Sequence, residues 1–300
     1  MKAVVIGSMN MDFTMDVDHL PSKGETVPAV RLRTSPGGKG LNQAVALARL
    51  GAEVLMVGAV GNDASGKVLL GNLPKDRIPD FAIKTVDDST GNAFITVDSQ
   101  GNNTIVVYPG ANYKLDMHWV ESFKGEIESA DFVVLQMEIP VETVIASIEL
   151  AHNLNTKVVL NPAPALPLPD YVYTMVDLVI PNETELALLT GETNIVEGAR
   201  KLLQMGANAV VVTLGSEGCF YKDANQEISV EGFKVNAIDS TAAGDAFIGG
   251  LLTALGRHED IGTAMKFANA VGAITVTRPG AQESIPTYEE VEEFLRRREP

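Results

Sequence analysis

The chain has 300 residues, of which 45% are hydrophobic and 21% charged, and a formal net charge of −16. Such a chain suits a soluble globular protein with one large α/β domain or two ordinary ones. The negative charge argues against a nucleic-acid groove or an anionic membrane surface as the main partner, but is compatible with a phosphorylated ligand neutralised locally by a few cations or a metal.

The N-terminal "KAVVIG" (residues 2–7) is too short for a signal peptide and predicts a buried parallel strand. "DFTMDVD" alternates, with Phe13, Met15 and Val17 on one side and Thr14, Asp16 and Asp18 on the other. "VRLR" at 30–33 alternates too, so both predict half-buried strands with one wet face. "SPGGKGLNQA" (35–44) is a glycine-rich turn leading into a helix that places Leu41, Ala44, Val45 and Ala48 on one face. "EVLMVGAVG" is a further strand, and "GNAFITVDSQGNNTIVV" (91–107) a hairpin turning at Ser99 to Asn102.

From there strands and helices alternate. Apolar strands are expected at 132–138, 157–162, 177–182 and 209–215. Helices are expected in "VETVIASIELAHNLN", "IVEGARKLLQMGA" and "DIGTAMKFANAVGAITVT", and at about 287–298, where "TYEE" fits a capping box. "NPAPALPLPD" (161–170) directly follows a strand and reads as a rigid loop. "GCFYKD" reads as a strand in which Cys219 is a small buried residue. It is the one cysteine, which excludes an internal disulfide and fits a reducing, cytoplasmic setting. The four histidines show no metal-ligand spacing, and no apolar run is long enough to cross a membrane.

This order predicts a single domain, 1–300, with a central, mostly parallel sheet covered by helices on both faces. A smaller β lid is inserted at about 12–34 and 91–107. Ligands of such sheets bind beyond the carboxyl ends of the strands, and polar residues collect there: Asn10 and Asp12, Glu138, Asn182 and Glu185, then "GSEG". "DSTAAGDAFIGG" (239–250) follows them. There the small Ala242, Ala243 and Gly244 leave helix N-terminal amides free to meet an anion, with Asp245 beside them. Asp245 reads either as a first-turn acid that stabilises the helix or as a base accepting a proton from an attacking hydroxyl. The "GGKG" turn has neither Walker A nor dinucleotide spacing.

Taken in order, "NMD", "PGGKGLNQA", "NPAPA", "PNETE", "TLGSEG", "DSTAAGDAF" and "VTRPGAQESIP" resemble, end to end, the ribokinase branch of the sugar kinases. The resemblance implies ATP-dependent phosphorylation of a primary hydroxyl on a pentose, D-ribose first among candidates. A nucleoside, another sugar or a cyclitol is the alternative acceptor, and a non-catalytic sugar or nucleotide sensor the alternative class. It implies Asp245 as base and the amides of Ala242, Ala243 and Gly244 as an anion hole. Asn10, Asp12, Gly38, Lys39, Asn42 and Glu138 would hold the sugar. Thr213, Gly215, Gly218 and Asn269, with Asn182, would hold ATP. Asn182 and Glu185 would stand near Mg²⁺, with a helix N-cap as the other reading of Asn182. Asp239, Thr241, Thr275, Gly280 and Ser284 would border a monovalent cation, K⁺, and helix capping is the other reading of Asp239. A homodimer through the lid is also implied. Four residues depart from the usual pattern: Ser240, Asn92, Leu41 and Arg77. Asn92 and Leu41 are expected near the sugar.

Overall fold

The computed structural model describes residues 1–298. Its strands are β1 (Lys2–Ile6), β2 (Asn10–Asp16), β3 (Arg31–Gly37), β4 (Glu53–Gly61), β5 (Ile83–Val86), β6 (Gly91–Val97), β7 (Asn103–Tyr108), β8 (Phe132–Gln136), β9 (Lys157–Asn161), β10 (Leu178–Val179), β11 (Ala209–Thr213), β12 (Gly218–Asp223) and β13 (Glu227–Glu231). Its helices are α1 (Lys39–Arg49), α2 (Ala64–Asn72), α3 (Met117–Glu121), α4 (Lys124–Glu128), α5 (Val141–Asn153), α6 (Asp170–Tyr173), α7 (Glu183–Thr190), α8 (Ile195–Gln204), α9 (Ala243–Gly256), α10 (Ile261–Thr275) and α11 (Tyr288–Arg296).

Nine strands form the main sheet in the order β13-β12-β11-β10-β9-β8-β1-β4-β5. The seven from β11 to β5 run parallel, while β12 pairs antiparallel with both β11 and β13. Continuous apolar runs such as "AVVI" and "FVVL" suit strands buried on both faces. Successive side chains therefore enter different cores. Ala3 and Val5 pack with α1, α9 and α10, whereas Val4 and Ile6 pack with α5 and α8. The chain leaves β1 toward β4 and later returns to β8 on the other side. This makes a topological switch point between β1 and β8, where such sheets open a crevice.

The second sheet, in the order β3-β2-β6-β7, is the lid. β2 pairs antiparallel with β3 and parallel with β6. It does not have one dry face. Every residue of β7 is exposed, and Leu32, Phe94, Ile105, Val106 and Val107 expose apolar surface on both sides. The half-burial expected of the alternating segment holds for β2, whereas β7 is exposed along its whole length.

Three other expectations change. The strand expected at 177–182 shrinks to two residues, because Pro181 has no N–H to donate and Asn182 already caps α7. α1 is buried from Gly40 through Leu47 rather than along one stripe. The sheet lies on one side of it and α9 on the other. β5 and β13 extend the two edges of the main sheet beyond the strands foreseen. Arg77, where a glycine was expected, has φ 58°, the left-handed region that favours glycine. Among the described residues no helix is long and apolar enough to cross a membrane.

Candidate active site

β1 ends at Ile6, and Ser8 anchors the turn that follows. Its carbonyl accepts the Leu41 amide (2.9 Å), while its hydroxyl accepts the Gly40 amide (3.3 Å) and donates to Glu138. Glu138 also accepts the Lys39 amide (3.0 Å), so it closes the N-terminus of α1, which has no side-chain cap of its own residues. Gly38 links β3 to α1 at φ 91°, and a Cβ there would lie 2.8 Å from the Asn10 amide nitrogen. Only glycine satisfies both conditions.

Asn10 and Asp12 stand on the inner face of β2. The Asn10 carboxamide oxygen accepts from Asn112 Nδ2 (2.7 Å), and Asn112 Oδ1 in turn accepts the Met9 amide (2.9 Å). This leaves the Asn10 NH₂ free to donate. Asp12 is 8% exposed and lies against Gly37, where a Cβ would meet its Oδ2 at 2.1 Å. Among the described residues no hydrogen-bond donor holds the Asp12 carboxylate. Burial, reinforced by Glu138, Asp245 and Glu283, pushes it up to about 7. A carboxylate with no protein donor that still reaches the crevice is able to accept from the hydroxyls of a ligand.

Asp245 lies in the first turn of α9 and is buried. Its Oδ2 accepts from Asn42 Nδ2 (3.0 Å) and its Oδ1 from Gln43 Nε2 (2.9 Å). Burial raises its carboxyl above the usual range, while the Lys39 ammonium and these two amides pull it back down. Lys39 is drawn down by burial, but Asp245, Glu138 and Glu185 outweigh that and keep it charged.

α9 starts on Ala242 at φ 59°, and no side chain caps it, whereas Asp, Asn or Thr caps α2, α7, α8, α10 and α11. A Cβ on Gly244 would meet nothing within 4 Å. The expectation of three free amides fails at Ala243, whose N–H donates to the Ser240 carbonyl (3.2 Å) in the turn that opens the helix. Ala242, Ala243 and Gly244 line a cavity of about 210 Å³ shared with Lys39, Asn182, Glu185 and Thr213. Asn182 and Glu185 form a complete capping box on α7, so the helix-cap reading of Asn182 holds whatever else it does. Burial raises the Glu185 carboxyl, with the Asn182 amide and Lys39 opposing.

A second cavity, of about 460 Å³, adjoins the first through Thr213, Ser240, Ala243 and Gly244. Gly215, Gly218 and Asn269 line it together with the apolar Phe233, Val235 and Phe247. The Asn269 amide already donates to the Val230 and Glu231 carbonyls (both 3.2 Å). Asp239 binds the Thr241 amide (2.9 Å) and hydroxyl (2.6 Å) and the Gly280 amide (2.9 Å), tying the loop before α9 to the loop after α10. The hydroxyls of Thr275 and Ser284 are bonded to the Val271 and Ala281 carbonyls.

Asn92 and Leu41 are not brought to the face that carries Asp12, where the resemblance led them to be expected. Asn92 shares its strand face with Phe94, opposite Ala93 and Asp12, and its amide donates to the Thr90 carbonyl (2.7 Å). Leu41 is 1% exposed and belongs to the core beneath α1. Sequence reasoning missed Ser8, Gln43, Asn112, Gln136, Asn161 and Gln282, all buried polar side chains around the site. A polar residue inside an apolar run, as in "FVVLQ", was the available signal.

The profile of the pfkB family carbohydrate kinases matches residues 1–288. A ribokinase of Staphylococcus aureus is 40% identical, with 97% of this chain and 98% of that protein covered. A deoxyribokinase of Salmonella typhi is 37% identical, with 98% and 99% covered. The solved structure of Arabidopsis thaliana ribokinase complexed with ribose and ATP superposes with a TM-score of 0.92 at 30% identity, covering 98% of each chain. With the switch-point crevice, the lid sheet and the uncapped α9, these matches make the chain a member of the pfkB family of carbohydrate kinases, enzymes that phosphorylate sugars at the expense of ATP.

Proposed function

We propose that this chain transfers the γ-phosphoryl group of ATP to the 5-hydroxyl of D-ribose. The observation that carries the reading is the position of Asp245. Its side chain meets Asn42 and neighbours Asp12 and Glu138, while its backbone opens α9 toward the 210 Å³ cavity.

Asn10 and Asn42 would supply donors to the sugar, and Asp12 an acceptor; Gly38 lets the backbone approach, and Glu138 holds that turn against α1. Asp245 would take the hydroxyl proton as the oxygen attacks phosphorus. A hydrogen-bonded carboxylate is a weak base, which suffices when the transition state is loose and positioning dominates. The amides of Ala242 and Gly244, with the Lys39 ammonium, would hold the charge of the moving phosphoryl group. The 460 Å³ cavity, with Thr213, Gly215, Gly218 and Asn269, suits the adenosine.

Mg²⁺ would supply charge neutralisation on the phosphates. Asn182 and Glu185 border that cavity and fit it through waters, since Mg²⁺ keeps several of its own. A monovalent cation would be bordered by the loops that Asp239 joins, through Asp239, Thr241 and the backbone at Thr275, Gly280 and Ser284. The lone buried Cys219 fits a reducing cytoplasm.

The test is phosphoryl transfer from ATP with Mg²⁺, with and without K⁺, across ribose, 2-deoxyribose, fructose, inositol, adenosine and cytidine. Asp245→Asn is the control. The expected result is a strong preference for ribose, stimulation by K⁺, and a loss of about 10²–10⁴-fold in the variant. Preference for 2-deoxyribose or a nucleoside would overturn the substrate, and an active Asp245→Asn would overturn the base.

The lid supports a homodimer. Phe13 and Phe94 stack at 5.5 Å on the face opposite Asp12, continued by the exposed Leu32, Val106 and Tyr108. A second copy would cover this face. Light scattering should give twice the chain mass for the wild type and a monomer for Phe94→Asp. A wild-type monomer at micromolar concentration would exclude the dimer.

A further inference from the structure

Behind Asp245 lies a chain of side-chain amides that the phosphoryl-transfer reading does not use. Gln43 is fully buried on α1. Its NH₂ group donates to Asp245 Oδ1 (2.9 Å) and to Asn161 Oδ1 (3.1 Å). Its oxygen accepts from Gln136 Nε2 (2.6 Å) at the end of β8. Asn161, at the end of β9, is itself fixed by donating to the Ile180 carbonyl (2.8 Å). Three ends of the main sheet's ligand edge are thus connected through one glutamine to the carboxylate on α9.

Only one orientation of the Gln43 amide works. Turned over, its oxygen would face the oxygens of Asp245 and Asn161, and its NH₂ would face the Gln136 donor. Gln136 is held to this arrangement at a cost. Its own oxygen is buried with no partner and presses toward Gly7, where a Cβ would lie at 2.0 Å. An unsatisfied buried acceptor costs about 1–3 kcal/mol.

We propose that Gln43, oriented by Gln136 and Asn161, is a positioning residue that fixes the plane of the Asp245 carboxylate so that its free lone pairs face the acceptor hydroxyl. Gln43 does not border the sugar groups; it acts through Asp245. The inference rests on Asp245 being the base. With Oδ1 bonded to Gln43 and Oδ2 to Asn42, the carboxylate cannot rotate, and the near-attack geometry is set before substrate arrives. Its other charged neighbours are Lys39, Asp12, Glu138 and Glu185, and Gln43 is bonded to none of them.

The test compares Gln43→Met, which keeps the volume and removes both donors, with Gln136→Met, which frees the Gln43 amide to turn. Each is measured by steady-state kinetics from pH 5 to 9 with the best acceptor of the panel. For Gln43→Met, kcat should fall about 10–100-fold while the sugar KM changes less than about threefold. The acidic limb of kcat/KM should move to higher pH, because a hydrogen bond favouring the charged form is lost. Gln136→Met should show the same two changes at smaller size, and it carries the test if Gln43→Met does not fold. Adding Gln43→Met to Asp245→Asn should lower kcat no further, since both act through one carboxylate. A protein that is less heat-stable but keeps its kcat and acidic limb would reduce the network to a structural role and overturn the proposal. If Asp245→Asn itself remains active, the base assignment fails instead, and the two failures are told apart by that control.

Discussion

Asp12 carries opposed demands. As a buried carboxylate with no protein partner it destabilises the ligand-free chain once ionised, and its carboxyl is raised to about 7. The sign follows from linkage. The stability from this group is fully present at pH below the ordinary aspartate value and is lost as pH rises through about 7. Asp12→Asn should therefore stabilise the ligand-free protein by about 1–3 kcal/mol at pH 8 and change it little at pH 4. The sugar KM should rise at least about tenfold. Denaturant unfolding at the two pH values checks this, and an equal loss of stability at both would contradict it. Such a residue was legible as a strand-end acid next to "NM", but its missing partner was not. That depends on Gly37, which comes from another strand. Gln43 was less legible still. The helical period places Leu41, Ala44, Val45 and Ala48 on one face, and nothing local says that a glutamine on the other side is buried against α9.

At the scale of elements, the signals that proved readable were local. "TYEE" forms the capping box expected of it, with Thr287 and Glu290 each bonded to the other's backbone, and "NETE" forms another. The turn expected between Ser99 and Asn102 lies between β6 and β7, closed by Asp98 accepting the Gln100 and Asn102 amides. What local signals could not give is the contact between α1 and α9. Gly249 meets α1 so closely that a Cβ would lie 2.5 Å from the Ala46 Cβ. This approach puts Asn42 and Gln43 within reach of Asp245. Gly249→Val should cost about 1–3 kcal/mol by overpacking. It should also lower kcat more than it raises KM, because it parts Asp245, the proposed base, from its two amides. Thermal unfolding and initial rates on the same preparation test this, and a destabilised variant with unchanged kcat would show that the helix spacing does not set the base.

For the molecule as a whole, alternating strands and helices sufficed to expect a parallel sheet, and strand-end polarity sufficed to expect the site at one edge of it. The antiparallel additions β12 and β13 and the two-sided exposure of the lid came from pairings and coverage that no single segment encodes. The crevice also has a temporal meaning. Asn42 reaches Asp245 across 203 positions of sequence and Gln282 reaches Asn42 across 240. Contacts so distant close late, because the entropy of a long loop must be overcome before they form. During synthesis, the segment with Asn10, Asp12 and Asn42, the proposed sugar side, is made long before α9 with Asp245, the proposed base. The crevice that joins Asn42 to Asp245 and Gln282 is thus completed only when folding has reached the last elements of the chain.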